Sequence, residues 1–287
     1  MRWLIIASAL APLASPASAE PVGLCRFDVA SLTFAGTPLD QARCLLRKVR
    51  LFGETEEQPL PKVLTGLLAT DSAPSSDQTG AAIAAFPEPY RSYAIEHRAR
   101  PASQTAAGLP LLYFVIHDTS TPFYGKERFP RNLDRDPKIN DFTPYMDGTF
   151  AAEPVAHIFL SRFGQIWAGH DFSEGWRATK LEVQIAGVPA RGRFTHIEVV
   201  QPRRFVPGSD SLQRTHGPRP GFSNEQYRQL AALYVYASAR AGRWLIPAFH
   251  ATIDAGIPDG HDDPQNFELE KFGKALGRLI NPPRRRR

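Results

Sequence analysis

The chain has 287 residues, 43% of them hydrophobic, 22% charged and 10% aromatic, a globular composition that excludes a disordered, collagen-like or coiled-coil protein. Its formal charge of +5 raises the question of a nucleic-acid partner, but Arg2 and the terminal Arg284, Arg285, Arg286 and Arg287 account for all of it. With the remainder neutral, no nucleic acid is expected, and only the arginine tail is expected to make a weak contact with an anionic surface.

Residues 1–19, MRWLIIASALAPLASPASA, read as a secretory leader: Arg2, an apolar stretch from Trp3 to Leu13, and Ala17 and Ala19 framing an A-x-A cleavage site. The apolar run is too short, and too rich in proline, to cross about 30 Å of hydrocarbon. Export without an anchor is expected, to the periplasm or beyond. The sequence holds two cysteines, Cys25 and Cys44, and in an oxidising compartment they are expected to pair. A thiol metal site is the poorer reading, because no histidine stands nearby.

Thr37-Pro38-Leu39-Asp40 has the signs of a helix start, a threonine cap followed by proline and an acid, and predicts a helix through Cys44 to about Val49. A disulfide to Cys25 would staple residues 20–69 into a small module. Residues 70–82, TDSAPSSDQTGAA, lack periodicity and read as the start of a linker or surface loop spanning 70–105. The apolar run 111–116 predicts a strand buried on both faces, with His117 its first polar residue. A long polar loop follows from Tyr124 to Phe150. Residues 155–161 and 165–168, either side of a glycine turn, predict a hairpin, and 195–200 a further strand. Ser223-Asn224-Glu225-Gln226 has capping-box spacing and opens a helix that Gly242 closes, and a last amphipathic helix is predicted over 267–280.

Chemistry concentrates where histidines meet carboxylates. His117-Asp118 leaves the end of a buried strand, and His250, Asp254, His261, Asp262 and Asp263 form a second group between the last two helices. Each histidine alone is as well explained by a satisfied, packed ring. Two imidazoles and one carboxylate together suit a catalytic Zn²⁺ that keeps one position open. At these residues the chain resembles the zinc-dependent N-acetylmuramoyl-L-alanine amidases, which share a domain with peptidoglycan recognition proteins. The resemblance rests on FVIHDTST at 114–121, AHIFLSRFGQIW at 156–167, HIEVV at 196–200, FSNEQYRQLAALYVYA at 222–237 and the loop from His250 to Pro264, in the family's order.

The resemblance implies an α/β fold, a central mixed β-sheet flanked by helices over 106–280; by the residues themselves, the stapled module precedes it and a basic tail at 281–287 follows. It implies His117, His250 and Asp263 as ligands of zinc, Glu198 as the base that handles the proton of the attacking water, and His261 as the group that steadies the oxyanion. The implied reaction is hydrolysis of the amide between N-acetylmuramic acid and L-alanine in peptidoglycan or its fragments. Three departures stand out. His261 occupies a position where many members carry lysine, so its charge is lost near neutral pH. The stretch from His250 to Asp263 is longer than the family's usual loop and leaves Asp262 and His261 open as alternative ligands. His196 stands where the family often has glycine, and reads either as lining the site beside Glu198 or as a surface residue.

Glu153, Glu174 and Glu182 read as solvated, His157 as packed, and Trp167, Trp176 and Tyr145 as groove or core. Two rival functions remain: a peptidoglycan-binding protein without catalysis, and an exported metallohydrolase of another class.

Overall fold

The computed structural model describes residues 20–149 and 151–282. The expected leader at 1–19 and the arginines at 284–287 lie outside the described residues, as does Phe150.

The chain opens with hairpin β1 (Phe27–Asp28) and β2 (Thr33–Phe34), helix α1 (Pro38–Leu45) and hairpin β3 (Lys48–Val49) and β4 (Thr55–Glu56). Thr37 caps α1 as its sequence predicts, its hydroxyl accepting from the Asp40 N–H while the Asp40 carboxylate reaches back. The helix stops at Leu45, short of the expected Val49, because Lys48 and Val49 pair with Glu56 and Thr55. Cys25 and Cys44 form the expected disulfide. This N-terminal segment shares one continuous core with the rest of the molecule. Phe34 packs edge-on against Tyr113, whose hydroxyl accepts from the Phe34 N–H at 2.9 Å and donates to Gln41 Oε1 at 2.9 Å.

Helices α2 (Lys62–Leu68), α3 (Ser76–Ala85) and α4 (Tyr90–His97) follow. The second and third correct the reading of 70–105 as linker: Ser75 and Gln78 form a capping box, and Ala82 and Ile83 bury the inner side of α3. Small residues gave no apolar periodicity to read, yet a short face of alanine lets two helices approach closely. Strand β5 (Tyr113–Asp118) is buried along its whole length. The long loop after it holds the single turn α5 (Thr143–Met146). Then come the hairpin β6 (Ile158–Leu160) and β7 (Ile166–Ala168), a π-helical stretch Leu181–Ala186, strand β8 (Phe194–Val199) and the small pair β9 (Arg204–Phe205) and β10 (Thr215–His216). The long helix α6 (Asn224–Arg240), capped by Ser223, leads to strand β11 (Ile246–Phe249), the single turn α7 (His250–Ile253) and helix α8 (Leu269–Ile280).

Five strands form a central mixed sheet in the order β11-β5-β8-β6-β7. The first four run parallel and only β7 is antiparallel. Helix α6 packs against α3 and α8, and α1 packs against β11, so helices flank the sheet and bury its strands. An open parallel sheet of this kind presents a crevice at the carboxyl ends of its strands. Among the described residues, no helix is long and apolar enough to cross a membrane.

Candidate metal centre

Strand register brings the histidines together. Ile116 of β5 is level with Phe249, the last residue of β11, so the residues that follow, His117 and His250, sit side by side at the strand ends. On the other flank His117 is level with Glu198 of β8. Three neighbouring parallel strands therefore place His250, His117 and Glu198 in one row, although they are far apart in sequence. Asp263 reaches the row from the loop after α7, which is pinned by the Ala251 N–H donating to the Asp263 carbonyl at 2.8 Å.

His117 Nδ1 and His250 Nδ1 are 2.8 Å apart, and His250 Nδ1 is 3.0 Å from Asp263 Oδ1. Candidate ligand atoms of His117, His250 and Asp263 all lie within 4.8 Å of one another, and all three residues are buried. Two facing imidazole lone pairs repel, so nitrogens this close need a proton or a cation between them. Two imidazoles and a carboxylate that could hold a metal ion are thus assembled in one pocket. Glu198 Oε1 stands 3.9 Å from His117 Nδ1, and Glu198 Oε2 is buried without a hydrogen-bond partner among the described residues.

Electrostatics agree with the burial. Desolvation, and then the neighbouring His250, push His117 well below the ordinary imidazole value. For His250 burial works the same way but is outweighed by Asp263 and Asp254, so its value rises well above the ordinary one. Burial would raise Asp263, yet His250 beside it holds its carboxyl well below the usual range. Glu198 is pushed up to about 8, by burial first and then by Asp263.

The other candidates separate by geometry. Asp262 is engaged elsewhere: its Oδ1 is 3.4 Å from Arg203 Nη2, and its Oδ2 accepts from Gln265 Nε2 at 2.6 Å. His261 stays at the rim, its side chain 53% exposed and its Nδ1 3.6 Å from Asp263 Oδ1. Of the acids in this loop, it is Asp263 that joins the two buried histidines. The loop is braced from below by a buried pair in which Arg203 donates to both Asp118 oxygens, at 3.2 and 2.8 Å. Asp118 in turn accepts from the Gln265 N–H, and its backbone N–H donates to Asp263 Oδ2 at 3.1 Å.

His196 is fully buried, which overturns its surface reading, and its Nδ1 lies 3.0 Å from His117 Nε2. His157 is packed, as expected, with Nδ1 accepting from the His196 N–H and Nε2 bonded to the Glu174 carbonyl. Glu153 and Glu174 are exposed, but Glu182 is completely buried, a correction to its reading as solvated. Thr179-x-x-Glu182 is itself a capping box: Thr179 Oγ1 accepts from the Glu182 N–H, and Glu182 Oε2 accepts from the Thr179 N–H. The T-x-x-E spacing of Thr179 and Glu182 is its signal in the sequence. Tyr145 packs on Phe159, as does Trp167, while Trp176 lines the cleft.

No family model matches the chain, and no curated protein matches it. The site therefore speaks through its own geometry. A cleft of about 430 Å³ opens beside the cluster, lined by Glu198, His250, His261 and Asp263 together with Trp176 and Lys180. A larger groove of about 790 Å³, between the β3–β4 hairpin and residues 219–221, contains none of the clustered histidines. The titratable groups converge at the smaller cleft.

Proposed function

We propose that the chain is an exported zinc-dependent amide hydrolase that cleaves the bond between N-acetylmuramic acid and L-alanine in peptidoglycan or its fragments. The observation that carries this reading is the convergence of His117, His250 and Asp263, with Glu198 beside them, at a cleft that His250, Asp263 and Glu198 line. The substrate class rests on the resemblance of segments 114–121, 156–167, 196–200, 222–237 and 250–264 to the amidase family, in order along the chain. The leader at 1–19 and the disulfide support an oxidising location outside the cytoplasm, where that polymer lies.

His117, His250 and Asp263 would hold the ion, a donor set of two nitrogens and one oxygen that suits Zn²⁺. Zinc, when bound, supplies a Lewis acid for the scissile carbonyl and lowers the pKa of water. Glu198 takes the proton of the attacking water and returns it to the leaving amine. Its burial leaves it a strong enough base for that exchange, and its unpartnered oxygen is free to receive the proton. His261, at the cleft rim, donates to the oxygen on which negative charge develops.

The test is direct. The zinc-loaded chain incubated with muropeptides should release free peptide, and a chelator should abolish the release. A stoichiometrically loaded chain that binds muropeptides and releases nothing would instead identify a binding protein.

A further inference from the structure

The two buried histidines of the candidate centre are each backed by a carboxylate, and both carboxylates are held by one short turn, residues 178–182. His250 Nε2 lies 2.9 Å from Asp254 Oδ2. Asp254 in turn accepts from the Lys180 N–H at 3.2 Å and from the Leu181 N–H at 3.1 Å. For His117 the backing is indirect. His117 Nε2 is 3.0 Å from His196 Nδ1, and His196 Nε2 is 3.3 Å from Glu182 Oε2, an electrostatic contact without hydrogen-bond alignment. That oxygen accepts from the Ala178 N–H at 3.3 Å, the Thr179 N–H at 3.2 Å and the Thr179 hydroxyl at 2.9 Å.

We propose that Glu182, acting through His196, is a positioning device that fixes the His117 ring with Nδ1 bare toward the metal pocket. The inference rests on the metal-site reading above and deepens it. An oxygen that already accepts three hydrogen bonds faces His196 as an acceptor, so the hydrogen of His196 sits on Nε2. His196 Nδ1 then carries a lone pair and takes the hydrogen of His117 Nε2. The remaining nitrogen of His117, Nδ1, is left as a donor to a cation. Such outer partners orient ligand rings and strengthen them as ligands, and their loss commonly weakens metal binding 10- to 100-fold.

The surroundings prevent His196 from turning away. Its backbone N–H donates to His157 Nδ1 at 3.1 Å, its carbonyl accepts from the His157 N–H at 3.1 Å, and the two rings stack. Glycine at this position could supply none of the relay. The 178–182 turn also forms a wall of the cleft through Thr179 and Lys180, so one piece of backbone shapes the substrate side and orients both imidazoles.

Zinc affinity, measured by chelator competition on the native chain and on Glu182→Met and His196→Leu, tests this. Each removes one acceptor of the relay, whereas Glu182→Gln keeps an oxygen for Thr179 and His196 alike and serves as the control. Glu182→Met and His196→Leu should bind zinc roughly 10- to 100-fold more weakly, and Glu182→Gln should stay close to the native chain. Nitrogen NMR of the zinc-loaded native chain should show His117 protonated at Nε2; protonation at Nδ1 overturns the relay even where a variant fails to fold. A role in folding alone would lower the unfolding midpoint and leave affinity unchanged. A folded Glu182→Met or His196→Leu that binds zinc as the native chain does overturns the relay and leaves the metal site standing. A native chain that binds no zinc overturns both.

Discussion

His117 Nδ1 and His250 Nδ1 face each other across 2.8 Å, one at the end of β5 and the other just beyond β11. Parallel pairing of those strands fixes the approach, and Asp263 completes the set. His117→Ala and Asp263→Ala should each lose bound zinc and activity together. Asp262→Asn should keep the metal, since that carboxylate serves Arg203 and Gln265. Glu198→Gln should keep zinc and lose turnover by roughly 10²–10⁴-fold, as expected for a group that moves a proton. Metal content by atomic spectroscopy, read beside peptide release, checks all four. Full zinc in Asp263→Ala would remove that residue from the set.

The Asp118–Arg203 pair supports the loop that carries Asp263. Both partners are buried, and burial lifts Asp118 to about 6 despite the guanidinium beside it. Arg203→Met should cost about 3–5 kcal/mol, because it strands a buried carboxylate with its charge uncompensated. Urea unfolding at neutral pH measures this, and a loss below about 1 kcal/mol would mean that the site relaxes around the change.

Two buried groups away from the cleft set separate acid limits on stability. Burial lowers His157 to about 3, whereas its unfolded value is about 6.5. Between those values the unfolded chain holds a proton that the folded chain does not, so stability falls as pH falls, by up to about 1.4 kcal/mol per pH unit from this group. His157→Gln, which can keep one acceptor and one donor, should flatten that slope between pH 6 and 4. An unchanged slope would assign the proton to another residue.

Asp171 acts in a lower window. Burial opposes its ionised form, but hydrogen bonds from Arg240, Ser173 and Tyr93 outweigh that and hold its carboxyl well below the usual range. A depressed carboxylate stabilises the fold above its unfolded value of about 3.9 and loses that contribution as pH drops toward the folded value. Asp171→Asn should destabilise the protein at pH 7 and bring its acid-unfolding curve closer to that of the native chain below about pH 3. A constant difference across the range would refute the linkage.

The disulfide closes a loop of 19 residues, for which restriction of the unfolded chain is worth about 3 kcal/mol. The Cys25→Ser, Cys44→Ser double variant should lose roughly that amount in urea. Because Phe27, Phe34 and Leu45 belong to the common core, the loss should appear in a single cooperative transition and not as an early N-terminal one.

Much of the local structure was legible in the chain. Caps at Thr37 and Ser223 are short-range hydrogen-bond patterns, and the run into His117 is a buried strand by its apolarity alone. Helix α3 escaped because it buries Ala82 and Ile83 but offers no broad apolar stripe; its capping box at Ser75 and Gln78 was the available signal. Glu182 escaped for a related reason. An acid in sequence reads as solvated, and only the fold sets the Ala178 and Thr179 N–H groups and the Thr179 hydroxyl on one of its oxygens, with His196 3.3 Å away.

Local sequence was enough for some of the parts: the strand into His117, the helices opened by Thr37 and Ser223, the pairing of two cysteines, and the residues chemically able to bind a metal. Local hydrogen bonding and side-chain period settle such matters within a few residues of chain. Tertiary structure alone decided which of two adjacent acids, Asp262 or Asp263, meets the histidines, and that His196 lies behind His117 and not at the surface. Those outcomes depend on strand register and loop packing between residues far apart in the chain: His117 is 79 residues from His196 and 133 from His250. No local pattern encodes a distance of a few ångströms across that much chain.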